Sequence, residues 1–187
     1  MQAQIRAALL TLLETRSLTE LSVDEIAQAA GVSRSAFYFY FRDKYDVLEP
    51  AVAEIADRLY AEADRWFSGT GKPAVLVREA LTGVVSLFAE NRQLLRVIAE
   101  VAAYDDEVRG FWWSIVDRFI EATAARLAAE QAAGRGRAVD PQRTATCLVW
   151  MVERVAHVQI VRGDRSVEQV VDSLTPVWLA TAYKGSR

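Results

Sequence analysis

The sequence predicts an all-α protein of nine helices, three in a short N-terminal headpiece and six behind it. Three observations carry that expectation. Apolar residues recur at the three-and-four spacing of an amphipathic helix along nearly the whole chain. No alternation of Val, Ile or Thr runs long enough to suggest a sheet. Capping residues and breakers cut the periodic pattern into pieces of helical length. With 187 residues, 52% of them apolar, the chain can bury a core without staples or a cofactor, and its expected division is 1–45 and 46–187.

Helix one carries Ile5, Leu9, Leu12 and Leu13 on one face. Ser22 and Glu25 form a capping box that opens helix two, where Val23, Ile26, Ala27 and Ala30 share a face. Gly31 falls where the chain must reverse, and Ser33 is placed to cap helix three. Asp43 is the expected N-cap of a long fourth helix ending at Phe67, before Ser68-Gly69-Thr70-Gly71. Pro73 opens a fifth, which presents Val77, Leu81, Val84, Val85 and Phe88. Asn91 is expected to cap a sixth helix reaching Tyr104. Asp105-Asp106 should start a seventh, to Ala133, with acidic residues at the positive end of the helix dipole. Gly134 to Arg137 breaks the pattern, and Asp140-Pro141 restarts it through Arg162. Gly163-Asp164 turns, and Ser166 with Gln169 boxes the last helix, in which Pro176 is expected to make a kink.

Helices two and three around Gly31 spell a helix-turn-helix, whose second helix normally enters the DNA major groove. The run Gly31-Val32-Ser33-Arg34-Ser35-Ala36-Phe37-Tyr38-Phe39-Tyr40-Phe41, with Lys44 and Val47-Leu48, resembles the DNA-binding domain of the TetR family of transcriptional repressors. Further on, Met151-Val152-Glu153-Arg154, Gly163-Asp164 with Ser166, and Asp172-Ser173-Leu174 followed by Val177-Trp178 and Tyr183 are similar to the ethionamide-resistance repressor branch of that family. The resemblance implies a nine-helix fold, a repressor that binds double-stranded operator DNA, and a six-helix back domain that dimerises and senses small, mostly hydrophobic molecules. Relatives usually carry basic residues ahead of helix one, and this chain starts inside that helix.

At the matching positions, Arg34 is the candidate for direct base reading, since a guanidinium can bond O6 and N7 of guanine together. Ser35 stands beside it, and Ala36 could pack on a thymine methyl. Tyr38 and Tyr40 offer hydroxyls to phosphate, although Tyr40 can equally border the core. Lys44, expected in the first turn of helix four, adds an ammonium near free backbone amides. Ser22 and Ser33, at the starts of helices two and three, are further phosphate candidates. Phe37 and Phe41, four residues apart, are the expected core pair of the aromatic run. Asp24 stands where it would repel phosphate, so no base contact is expected from helix two.

The back domain is rich in aromatic residues, which are large, apolar and stiff and so suit a ligand tunnel as well as a plain core. The candidate effector-binding residues are Phe88, Tyr104, Trp112, Trp113, Phe119, Thr123, Val149, Trp150, Val152 and Trp178. Val149 and Val152 fall where the ethionamide-type repressor carries amide side chains, implying a pocket that selects by shape. His157, the one histidine, is expected as a core or interface residue. The resemblance implies a homodimer through the last two helices, which carry Val149, Val152, Val155, Ile160, Val170, Val171, Leu174 and Leu179.

The net charge of −3 argues against a generic nucleic-acid binder. Residues 1–48 hold Arg6, Arg16, Arg34, Arg42 and Lys44 against Glu14, Glu20, Asp24, Glu25, Asp43 and Asp46, so attraction for phosphate is confined to the segment 33–44. Cys147 is alone, which excludes an intrachain disulfide and fits a reducing, cytoplasmic location. No leader-like start or 18-residue apolar run appears, so no membrane segment is expected. One histidine, one cysteine and no nucleophile elbow, zinc motif or Walker loop predict no enzyme activity, metal or cofactor. A second reading remains open: a helical small-molecule binder whose headpiece has lost specific DNA binding.

Overall fold

A computed structural model describes residues 1–185. Among these, nine α-helices form: α1 (Gln2–Leu13), α2 (Val23–Ala29), α3 (Arg34–Tyr40), α4 (Leu48–Phe67), α5 (Pro73–Glu90), α6 (Arg92–Val101), α7 (Asp106–Ala132), α8 (Pro141–Ala156) and α9 (Val167–Ala182). A 3₁₀ turn (Leu18–Glu20) precedes α2, and a π turn (His157–Val161) follows α8. The chain divides into two compact units. The first takes residues 1–55 and 93–112, and the second takes 56–92 and the chain from 113 onward. α4 and α7 therefore contribute to both units, and the first unit extends beyond the 1–45 headpiece.

In the first unit, α1 packs on α2 and α2 on α3. Ile5, Leu9, Leu13, Ile26 and Phe37 are fully enclosed, and Phe41 is buried beside Phe37 with ring centroids 5.8 Å apart. Ser22 caps α2 as the box predicts: its hydroxyl accepts from the Glu25 amide at 3.2 Å, and Glu25 accepts from the Ser22 amide at 2.8 Å. Gly31 has φ +67°, the left-handed conformation that an L side chain rarely adopts, and a reversal here requires it. Ser33 then caps α3 by accepting from the Ala36 amide at 3.1 Å.

Two expected caps fall elsewhere. Asp43 does not open the fourth helix; its carboxylate accepts from the amides of Tyr45 (2.8 Å) and Asp46 (3.0 Å) and closes a turn. α4 starts at Leu48, which places Pro50 in its first turn. In a helix begun at Asp43 that proline would clash with a preceding carbonyl and delete an interior hydrogen bond. Asn91 does not cap α6; its side chain donates 2.8 Å back to the Leu87 carbonyl and finishes α5. Asp105 does cap α7, accepting from Glu107 and Val108, both at 3.0 Å.

In the second unit α5 lies along α9, α8 also packs on α9, and the π turn meets α5. Val170, Val171, Leu174 and Trp178 of α9 face that core with Val77, Leu81 and Val85 of α5. Asp140 caps α8 by accepting from Arg143 at 2.9 Å, and Ser166 caps α9 by accepting from Gln169 at 3.2 Å. The continuous helix expected to Arg162 instead changes register at His157, whose carbonyl accepts from Arg162, five residues on, at 3.0 Å. α9 runs through Pro176 as one helix, although Pro176 offers no N–H to the Asp172 carbonyl. Gly134, with φ +76°, ends α7, and Gly136 forms an isolated antiparallel bridge with Tyr183.

Candidate nucleic-acid interface

The outer face of α3 is built by its cap and its core anchors. Ser33 fixes where the helix starts and Phe37 points inward, while Arg34, Ser35 and Tyr38 are all exposed. Ala36 and Tyr40 are half-buried at its flanks. Phe39 is 81% exposed, with its ring edge-to-face on Tyr40 at 5.0 Å.

Arg34 is pre-arranged. Its guanidinium forms an ion pair with Asp24 of α2 and lies 5.4 Å from the centre of the Tyr38 ring. Asp24, expected only to repel phosphate, thus also holds Arg34. The available signal was the ten-residue separation across the Gly31 turn, which returns α3 to the start of α2. Both side chains are 59% exposed, so the pair is worth at most ~1 kcal/mol. A bidentate contact to guanine contributes about 1–3 kcal/mol and outweighs it.

The remaining candidates divide between the surface and the scaffold. Ser22 donates its hydroxyl to the Glu25 carboxylate at 2.7 Å, while Arg16 donates to the same carboxylate at 2.7 Å. With Arg16 and Ser22 around it, the Glu25 carboxyl is held down at about 2. The Ser22 hydroxyl stays exposed while it donates to Glu25. Lys44 lies in the turn before α4, and its ammonium donates to the carbonyls of Leu18 (2.8 Å), Leu21 (2.8 Å) and Thr19 (3.3 Å). Those carbonyls belong to the 3₁₀ turn and the strand-like link into α2, and that of Leu18 also accepts from the Leu21 amide at 3.2 Å. Burial pushes the Lys44 ammonium down from its ordinary value, against the pull of Asp43 and Glu25. Arg42 pairs with Asp46 at 3.1 Å and with Glu107 at 2.8 Å.

The aromatic set is divided between the two units. Tyr104 and Trp112 belong to the first unit and the other eight residues to the second. Tyr104 is 55% exposed and meets Tyr45 edge-on at 6.4 Å, and Trp113 is 53% exposed. Phe88, Thr123, Val152 and Trp178 are buried, and Phe119, Val149 and Trp150 are half-buried. Phe119 packs on Tyr60 at 5.4 Å, and Trp178 meets Trp66 edge-to-face at 5.5 Å. The indole nitrogen of Trp178 and one Glu153 oxygen are buried without a hydrogen-bond partner. Burial raises the Glu153 carboxyl above its ordinary value, against the pull of Arg154. His157 is buried, in line with its expected core placement.

An exposed recognition helix on a capped helix-turn-helix, joined to a larger helical unit, defines a class of one-component DNA-binding regulators. Two family descriptions match the chain: bacterial regulatory proteins of the tetR family over residues 5–51, and the C-terminal domain of transcriptional regulator EthR over residues 77–184. The chain belongs to the TetR family of bacterial transcriptional regulators, and is a DNA-binding regulator rather than an enzyme. Within the family it is similar to HTH-type transcriptional regulator EthR of Mycolicibacterium smegmatis, 32% identical over 190 residues, covering 97% of this chain and 86% of that one. EthR of Mycobacterium tuberculosis is 31% identical over 185 residues, covering 94% and 84%. A crystal structure of a TetR/AcrR-family regulator from Thermobifida fusca superposes with a TM-score of 0.75 at 22% identity, covering 100% of this chain and 98% of that one. No helix among the described residues is long and apolar enough to cross a membrane.

Proposed function

We propose that the protein is a repressor that binds a palindromic operator as a homodimer and is released by a small hydrophobic effector. Residues 1–45 read DNA, and 46–187 carry the effector site and the dimer contact. The exposed row Arg34, Ser35 and Tyr38 on α3 is the observation that carries the reading. Arg34 leaves Asp24 for a base edge, Tyr38 reaches a phosphate, and Ser33 and Ala36 border the groove. On the outward faces of α8 and α9, Cys147, Val177 and Ala180 are exposed, and with the exposed Val158 of the π turn they form the twofold contact, which an isologous dimer makes with the same patch on both copies. The cytoplasm is the compartment where such a regulator meets its operator.

The effector enters among Phe88, Phe119, Thr123, Val149, Trp150, Val152 and Trp178. The unpaired Trp178 indole N–H supports a ligand with one hydrogen-bond acceptor, because a buried donor without a partner costs about 1–3 kcal/mol. Selection of a palindrome from random duplexes, followed by anisotropy titration, tests the reading. The expected result is one enriched palindrome bound by a dimer, with no enrichment overturning it.

A second reading draws on one observation: Arg34, Arg42 and Lys44, the cations of residues 33–44, all have partners within the chain. If these partners are not exchanged for DNA, the headpiece is a scaffold and the protein only a small-molecule binder. Failure of the selection with retained ligand binding would favour that alternative.

A further inference from the structure

In the second unit a cleft of about 560 Å³ opens between the start of α5, the α7–α8 loop and the end of α9. None of the candidate effector residues lines it. Its volume falls within the 300–1,000 Å³ typical of small-ligand sites. The chemistry of its wall is divided: Lys72, Arg135 and Lys184 supply positive charge, while Pro73, Pro176 and Leu179 supply apolar surface.

The wall is fixed by backbone pairing. Where Gly136 bridges Tyr183, the Arg137 amide donates to Ala182 and the Lys184 amide to the Arg135 carbonyl, each at 3.0 Å. That pairing draws the α7–α8 loop onto the chain leaving α9 and so sets Arg135 and Lys184 beside each other. The nearby acid does not cancel them. Glu130, 2% exposed, is shared between Arg126 at 2.8 Å and the Nε of Arg135 at 2.7 Å, so one carboxylate answers two guanidinium groups. Lys72 adds its ammonium at the N-terminus of the 18-residue helix α5, where the helix dipole also favours an anion. Among the described residues no side-chain carboxylate lines the cleft, on a chain whose net charge is −3.

We propose that this cleft binds an amphiphilic carboxylate, with the charged head on Lys72, Arg135 and Lys184 and the apolar body against Pro73, Pro176 and Leu179. A neutral apolar molecule would leave the cations unanswered, and a small inorganic anion would leave the apolar wall wet. The site shares no residue with the DNA-reading face, so its failure would leave the repressor reading intact.

Calorimetric titration of the full chain with decanoate and with 1-decanol, both below their aggregation concentrations, tests it. The wild type is expected to bind decanoate at least tenfold tighter than decanol. Lys72→Gln/Lys184→Gln, at two exposed side chains, should lose that preference while keeping its affinity for decanol. The single Lys72→Gln variant should fall between them and serves if the double variant folds poorly. Equal affinities in the wild type, no saturable decanoate binding, or a preference unchanged in the variants would each overturn the proposal.

Discussion

At the scale of single residues, the headpiece separates side chains that face outward from those that hold it together. Arg34 and Asp24 form an exposed pair that a bidentate base contact, at about 1–3 kcal/mol, would outweigh. Arg34→Ala is expected to cost about 1–3 kcal/mol on the preferred operator and to relax its sequence preference. Asp24→Asn removes both a phosphate repulsion and the competing partner, so it should tighten binding to matched and scrambled duplexes. A double-mutant cycle read by anisotropy should show non-zero coupling between the two positions, and strict additivity would mean that Asp24 does not act through Arg34. Lys44 belongs to the second group. Lys44→Ala leaves three carbonyls without their ammonium and should destabilise the headpiece by about 1–3 kcal/mol in urea unfolding, with DNA affinity falling alike for all sequences. A purely phosphate-contacting lysine would leave stability unchanged and reduce the salt slope of binding by about one. The family motif pointed to Lys44 but could not show what it touches, since its acceptors are backbone atoms 23–26 residues away.

Helices were legible wherever a start or stop is written in local side-chain chemistry. Ser22 with Glu25 and Ser166 with Gln169 cap where their spacing predicts, because both halves of each box lie within four residues. Asp43 and Asn91 misled for the same reason: Asx residues satisfy turns and preceding carbonyls as readily as helix starts. Pro50 was the available signal that α4 begins late. The π turn after α8 has no residue signature, since it depends on packing against α5 rather than on a cap. That end of α8 also carries the buried Glu153. Its raised pKa means the folded state favours the protonated carboxyl, so its contribution to stability is present at low pH and is lost as pH rises through the folded pKa. Glu153→Gln is therefore expected to raise the melting temperature at pH 7, with the gain shrinking toward pH 4. A gain that is constant across that range would show that the charge is not what costs stability.

At the scale of the molecule, the fold class was readable because periodicity and breakers repeat along the chain, whereas the same pattern does not tell a ligand site from plain core. A tunnel and a packed core draw on the same aromatic residues, and only the coordinates separate the exposed Tyr104 and Trp113 from the buried Trp178. The cations of the DNA-reading segment are few and already partnered, so one headpiece alone should bind weakly and with little discrimination. Two headpieces on adjacent half-sites, about 34–36 Å apart, convert the second contact into an intramolecular one and can raise avidity by roughly 10²–10⁴. Operator affinity should accordingly depend on the faces of α8 and α9 more than on any single base contact. Val158→Asp with Val177→Asp places two charges on exposed apolar positions of that surface, where burial in a dimer would penalise them and a monomer would not. Sedimentation should then report a monomer with its helical circular dichroism intact, and operator affinity should fall at least a hundredfold. A variant that remains a dimer would remove α8 and α9 as the interface, while a monomer that binds the full operator undiminished would show that the headpiece needs no twin.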